Sequence, residues 1–371
     1  MTFDSQFLLN PFSWYAQMRR EAPVHYDEAK RSWSVFRYAD VQRVLSEWQT
    51  FSSKIPHPPE QQHLTESLNY TDPPKHRSLR SLVQGVFTPR RIESMAPRIT
   101  EITHDLIEQI KRKDRVDLIH DFSSPLPVTA IAEILGVPTQ DWEDFKRWSD
   151  GVVVLDPVAL QALADYFQQL IDWRRSHPTD DLVSDLISAH DAEAKLTAKE
   201  LIDFCIVLLV GGNETTTNLI ANAVLCLHEH PDQAQRLRED RSLLPSAIEE
   251  VLRYRSPITS MARYTTVDTL IGEQVISAGQ MVEAWMASAN RDELHFEQAD
   301  RFIIDRQLND HVAFGYGIHF CIGATLARLE ARIALTALLK EFPNLRVDET
   351  KSLEPIPTLE IHGLKALPVL L

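Results

Sequence analysis

Cys321 stands between a loop punctuated by Gly315 and Gly317 and a run of helix formers, within F-G-Y-G-I-H-F-C-I-G-A-T-L-A-R from Phe314 to Arg328. The two glycines supply backbone angles that residues with a Cβ resist, and they let the chain lie close against a flat partner. A cysteine where loop becomes helix meets unsatisfied N–H groups and the positive end of the helix dipole, both of which favour its thiolate. A thiolate binds soft metal, and on haem iron it pushes electron density in the direction that favours O–O cleavage. The plainer alternative for a lone cysteine is a buried structural thiol beside a glycine turn.

A second group with chemical potential lies in the longest periodic stretch. Thr197 and Glu200 form a capping-box pattern, and the helix predicted from there runs to His230, where Pro231 ends it, about 50 Å in all. Gly211 and Gly212 sit together inside it, each costing about 1 kcal/mol relative to alanine. Glu214, Thr215 and Thr216 follow directly on an apolar run. A Thr215 hydroxyl bonded back to the Gly211 carbonyl would open the helix and leave room for a small ligand and water. The alternative is an ordinary amphipathic helix with Glu214 and Thr216 in solvent.

Two further pairs are weaker on their own. In D-P-P-K-H-R-S-L-R, Asp72 is placed to cap a helix opened by Pro73 and Pro74, and His76 and Arg80 share one face suited to an anion or to solvent. Glu250 and Arg253 in E-V-L-R lie three apart, a spacing common among surface ion pairs worth less than ~1 kcal/mol.

In combination, D-P-P-x-H-x-x-x-R, G-G-x-E-T-T, E-x-x-R and the cysteine loop resemble, in order and over nearly the whole chain, the signatures of the cytochrome P450 superfamily. The resemblance implies a mainly α (α+β) fold with small peripheral sheets, one domain over residues 1–371, and haem b between the long helix and the cysteine loop. It assigns Cys321 as the iron ligand in a haem pocket that includes Phe314 and Gly323. His76, Arg80, Arg263 and His319 become partners of the haem propionates, Glu214 and Thr215 a proton relay to dioxygen, and Glu250, Arg253 and Arg306 a structural triad behind the loop. The function implied is a monooxygenase that uses O2 and two electrons to hydroxylate or epoxidise an apolar small molecule such as a fatty acid, terpenoid or steroid. Electrons would come from a separate ferredoxin or flavodoxin, with Arg77, Arg90, Arg91, Arg328 and Arg332 as docking charges. The substrate is expected against Val207, Leu208, Gly211, Ile258, Thr259 and Leu359. Two rivals are a peroxide-driven peroxygenase, whose members usually lack the acid–threonine pair, and a haem-based sensor, which needs no proton relay.

The elements that must position these residues are mostly helical. Periodicity predicts helices over Pro11–Arg20, Asp40–Glu47, Ile92–Lys111, Pro127–Leu135, Gln140–Val154, Pro157–Arg175 and Pro245–Arg255. Short strands are expected at Val24–Tyr26, at Trp33–Phe36 and around Gly272 and Gly279, with a closing hairpin around Gly363. Ser52 to Tyr70 reads as a long irregular loop, which in the family arches over the substrate, and Asp150 to Leu182 corresponds to a short version of the family's lid helices. The 371 residues show no composition break, and 44% hydrophobic with 25% charged residues is globular. Net charge of −15 disfavours nucleic acid. Three cysteines, Cys205 and Cys226 among apolar neighbours, fit a reducing compartment, and with neither signal peptide nor membrane anchor evident the expectation is a cytoplasmic monomer.

Overall fold

The computed structural model describes residues 4–56, 67–85, 87–153, 156–193 and 197–371. Residues 57–66 of the expected substrate-covering loop, and residues 154–155 of the lid segment, lie outside the described residues. Around them the chain is dominated by helices, organised on the 32-residue helix Ala198–Glu229. The capping box is present, since Thr197 accepts from the Glu200 N–H and Glu200 reaches back to the Thr197 N–H. By length and composition this helix could cross a membrane, but 67% of its apolar window is buried inside the protein, as befits a core helix. It packs against Pro125–Ile134, Pro157–Ser176 and Ala324–Glu341, so the middle of the fold and the segment after the cysteine loop meet on it.

Apolar spacing explains these contacts. Ile99, Ile102, Leu106 and Ile110 recur at three- and four-residue intervals on Ala96–Ile110 and are all buried, on a helix that packs against Ala324–Glu341. The single helix expected over Ile92–Lys111 is two, Pro89–Ser94 and Ala96–Ile110, because Pro97 begins a new first turn. In the lid region the helices are Trp142–Val153, Pro157–Ser176 and Leu182–Glu193.

The β structure is peripheral. Five short strands lie in the order Val24–Asp27, Ser32–Val35, Met281–Ala284, Met261–Thr265 and Phe51–Ser52, with only the Ser32–Val35 and Met281–Ala284 pair parallel. Alternation on Met261–Thr265 turns Arg263 to the buried side, opposite Val282. The closing hairpin differs from expectation. Glu354–Pro355 pairs with Leu364–Ala366, and Pro368–Leu370 joins Val116–Asp117 and Arg346–Val347 instead. Gly363 matters as a close approach: a Cβ there would stand 2.2 Å from the Asn218 side-chain oxygen of the long helix.

Candidate active site

The long helix and the cysteine loop face each other across a largely apolar cavity. Cys321 and Gly323 line it from the loop side, and Val207, Leu208, Gly211 and Thr215 from the helix. Loop geometry follows its glycines: Gly315 and Gly317 have φ of 74° and 72°. A Cβ on Gly317 would come within 2.9 Å of the Ser46 backbone, so the loop lies directly on the helix Tyr38–Ser46. The Cys321 N–H donates to the Phe314 carbonyl at 2.8 Å, folding the loop back on itself.

The Cys321 sulfur faces the cavity, and protein surrounds it at the longer range that governs charge. Burial raises its pKa; the N–H groups of Gly323 and Ala324 and the charges of Arg80 and Arg328 act the other way. The Gly323 and Ala324 N–H groups open the helix Ala324–Glu341, which is the thiolate-favouring position read from the sequence.

Beside the sulfur lies a cluster of bases. Arg80, Arg263 and His319 line the cavity, while His76 lies behind the wall with its ring 4.2 Å from that of His319. His319 Nε2 shares a hydrogen bond of 2.9 Å with Ser53 Oγ. Desolvation, together with Arg263, His76 and Arg80, pushes the His319 pKa down to about 2. Desolvation and Arg80 likewise bring His76 to about 4, against Asp72. Burial lowers Arg263 to about 10 and lowers Arg80 as well. Within the described residues His76 Nε2 is buried without a partner. Such mutual repulsion in a desolvated pocket is what a bound dicarboxylate relieves, and with a thiolate donor alongside, the residues fit an iron porphyrin and its two propionates. Asp72 does not cap its helix as expected. Its carboxylate accepts from Ser52 Oγ at 2.5 Å and the Ser53 N–H at 3.1 Å, tying the strand Phe51–Ser52 to the basic cluster, and the helix Lys75–Gln84 starts without a side-chain cap.

On the opposite wall the Thr215 hydroxyl donates to the Gly211 carbonyl at 2.6 Å. The long helix nevertheless stays continuous through Gly211–Thr216. Room comes from a missing side chain, because a Cβ at Gly211 would meet no atom within 4 Å. Glu214 lies off the cavity wall, its Oε1 accepting from Asn218 Nδ2 at 3.1 Å.

Ile258 reaches the cavity, but Thr259 and Leu359 do not. The Thr259 hydroxyl donates to the Leu359 carbonyl, and Leu359 packs into a separate cluster with Tyr15, Phe36 and Trp285. Glu250 and Arg253 are fully buried and joined by two hydrogen bonds of 2.8 Å, with Arg306 Nε 3.0 Å from the same carboxylate. Arg253 also donates to the carbonyls of Asn290, Ala299 and Arg301, so the group braces the approach to the cysteine loop from outside the cavity. Of the five docking arginines, Arg91 pairs with Asp180 and Asp185, Arg328 with Glu249 and Arg332 with Glu93. Among the described residues Arg77 and Arg90 are exposed and form no ion pair.

Sequence reasoning missed Glu330. It is 2% exposed on the helix after the loop, lines the cavity, and takes a hydrogen bond from Thr216. Burial drives its pKa up to about 8, against that hydrogen bond, so it is a neutral acid near pH 7. The available signal was its place four residues after Leu326 and four before Ala334, on the buried face of an amphipathic helix. Phe87, Ile131 and Met286 on the wall carried no such signal.

A largely apolar cavity between a cysteine at a helix start and a threonine-bearing long helix, flanked by a cluster of bases, defines a haem-thiolate protein. Comparison with known proteins agrees. The cytochrome P450 family model matches residues 116–369. Cytochrome P450 109 of Bacillus spizizenii is 44% identical, covering 97% of this chain and 92% of its own. The cytochrome P450 monooxygenase PikC of Streptomyces venezuelae is 39% identical over 98% of this chain and 91% of its own. The structure of CYP109E1 from Bacillus megaterium in complex with testosterone superposes with a TM-score of 0.94 at 41% identity, covering 99% of both chains. The chain belongs to the cytochrome P450 superfamily. It is a haem-thiolate monooxygenase that binds haem b.

Proposed function

We propose that this single-domain, cytoplasmic monooxygenase inserts oxygen into a steroid or a molecule of similar size and polarity, using Cys321 as its haem ligand and one-electron transfers from a ferredoxin or flavodoxin. The observation that carries the substrate reading is the wall opposite Cys321, formed by apolar Phe204, Val207 and Leu208 and relieved at Gly211, in a chain whose relative CYP109E1 is solved with testosterone. Haem supplies the oxygen-activating redox chemistry when bound.

The chain's own groups divide the remaining work. Cys321 would hold the haem iron through its sulfur, the Gly323 and Ala324 N–H groups favouring the thiolate against the burial that raises its pKa. Arg80, Arg263, His319 and His76 would take the propionates. Thr215, with its hydroxyl proton committed to the Gly211 carbonyl, turns its lone pairs to the cavity and holds a water there by accepting from it. Glu214, one residue earlier on the same helix, supplies protons to that water from outside the wall. The apolar wall excludes other water, and the acid–threonine pair favours turnover with dioxygen over a peroxygenase or a sensor.

Titrating the haem-loaded enzyme with testosterone tests the substrate reading. Displacement of iron-bound water, seen as a blue shift of the Soret band at micromolar ligand, is the expected result. A flat response to testosterone alongside a full response to long-chain fatty acids would replace the steroid reading. In Cys321→Ser, the strongly red-shifted band of the reduced carbon monoxide complex should vanish.

A further inference from the structure

Glu249, beside the buried triad acid, holds both ends of the cysteine loop. Its carboxylate accepts from Arg328 Nε and Nη2, both at 2.7 Å, and from His311 Nε2 at 3.1 Å. His311 enters the loop and Arg328 lies beyond it on the following helix, so one carboxylate bridges the two stems that bracket Cys321.

The bridge reaches further in. His311 Nδ1 accepts from the Ala313 N–H at 3.2 Å, so its proton sits on Nε2 and points at Glu249. The Arg328 guanidinium lies 4.5 Å over the Phe314 ring, and the Phe314 carbonyl takes the Cys321 N–H. Glu250 directs its bonds to Arg253, Arg306 and the segment before the loop, and Glu249 alone of the two reaches the loop stems. Burial acts to raise the Glu249 pKa, but Arg328 and His311 outweigh it and hold the group at about 2, so the bridge is charged throughout the working pH range.

We infer that Glu249, Arg328 and His311 form a positioning clamp that sets the geometry and charge balance of the Cys321 thiolate, so that Arg328 tunes the reducibility of the haem instead of docking the electron donor. The inference rests on Cys321 being the haem ligand. Loss of the carbon monoxide band in Cys321→Ser tests that assignment separately.

Charge sign gives the discriminating experiment. Reducing ferric haem adds an electron, so a nearby positive charge favours it and a negative charge opposes it. In haem-loaded enzyme, Glu249→Gln leaves Arg328 uncompensated and should raise the reduction potential. Arg328→Gln leaves Glu249 uncompensated and should lower it, each single change moving the reduction equilibrium several-fold. The double variant, which lacks both charges, should return toward the parent. Arg328→Lys keeps the charge but loses the bidentate fork. It should hold the potential while enlarging the fraction of carbon monoxide complex that has lost the red-shifted band. Unchanged potentials in both single variants, with only the apparent KM for ferredoxin rising in Arg328→Gln, would overturn the clamp and make Arg328 a docking charge. Shifts of equal sign in both variants would also overturn it, since general loosening of the loop ignores which charge is removed.

Discussion

Thr215 and Glu330 are the two protic side chains whose surroundings make the sharpest claims. The Thr215 hydroxyl is oriented by its bond to Gly211, so in the proposed relay Thr215→Ala removes the acceptor for a cavity water. The expected result is reductant consumption within a few-fold of the parent but product formed per reductant falling several-fold, the balance appearing as peroxide. Unchanged product yield would remove Thr215 from the relay. Glu330 makes a claim about pH. Its folded pKa of about 8 stands above the unfolded reference of 4.5, so between those values the native state keeps a proton that the unfolded state has lost. The stability it contributes is complete below the lower value and is lost as pH rises toward 8, with a slope of up to about 1.4 kcal/mol per pH unit. Glu330→Gln should flatten that decline, as measured by denaturant unfolding at several pH values across the window, and should leave the protein more stable than the parent at its alkaline end.

The long helix shows how an element trades stability for space. Its two adjacent glycines do not break it, and the missing side chain at Gly211 opens onto the cavity. Gly211→Ala should therefore stabilise the fold by about 0.5–1 kcal/mol through helix propensity while weakening binding of a steroid-sized ligand. Gly363→Ala should do the reverse to stability. Its Cβ would fall 2.2 Å from Asn218 Oδ1, and displacing that buried side chain from its bond to Glu214 would cost about 1–3 kcal/mol. Chemical unfolding of the two variants side by side, with ligand titration of the first, checks both signs.

For the whole molecule the question is how an acidic protein meets its electron donor. The net charge is −15, so an acidic donor such as the proposed ferredoxin would be repelled overall and would need a local basic patch. Of the five arginines expected to dock the donor, Arg91, Arg328 and Arg332 pair within the chain, and the exposed Arg77 and Arg90 are those proposed for that patch. The apparent KM for ferredoxin should rise with ionic strength, and Arg77→Glu and Arg90→Glu should each raise it several-fold at low salt with little change in kcat at saturating donor. Stopped-flow reduction across a salt series measures this. Insensitivity to both charge reversals would move the docking site elsewhere.

Local motifs carried the chemistry, because thiolate stabilisation at a helix start, a hydroxyl bonded four residues back and a capping box all arise within one turn of chain. Cys321, Thr215 with Gly211, Thr197 with Glu200, and the extents of most helices were legible for that reason. What the tertiary structure decided was direction. Thr259 follows the wall residue Ile258 directly, yet it turns away to donate to the Leu359 carbonyl, and Leu359 itself packs with Tyr15, Phe36 and Trp285. Asp72 looked like a helix cap and is spent on Ser52 and Ser53, twenty residues earlier in the chain. Arg328 and Glu249 lie 79 residues apart, and only folding makes one the other's counter-charge. Glu330 became a neutral acid in the cavity because burial there removes the water that would have ionised it, and burial is a property of the packed molecule.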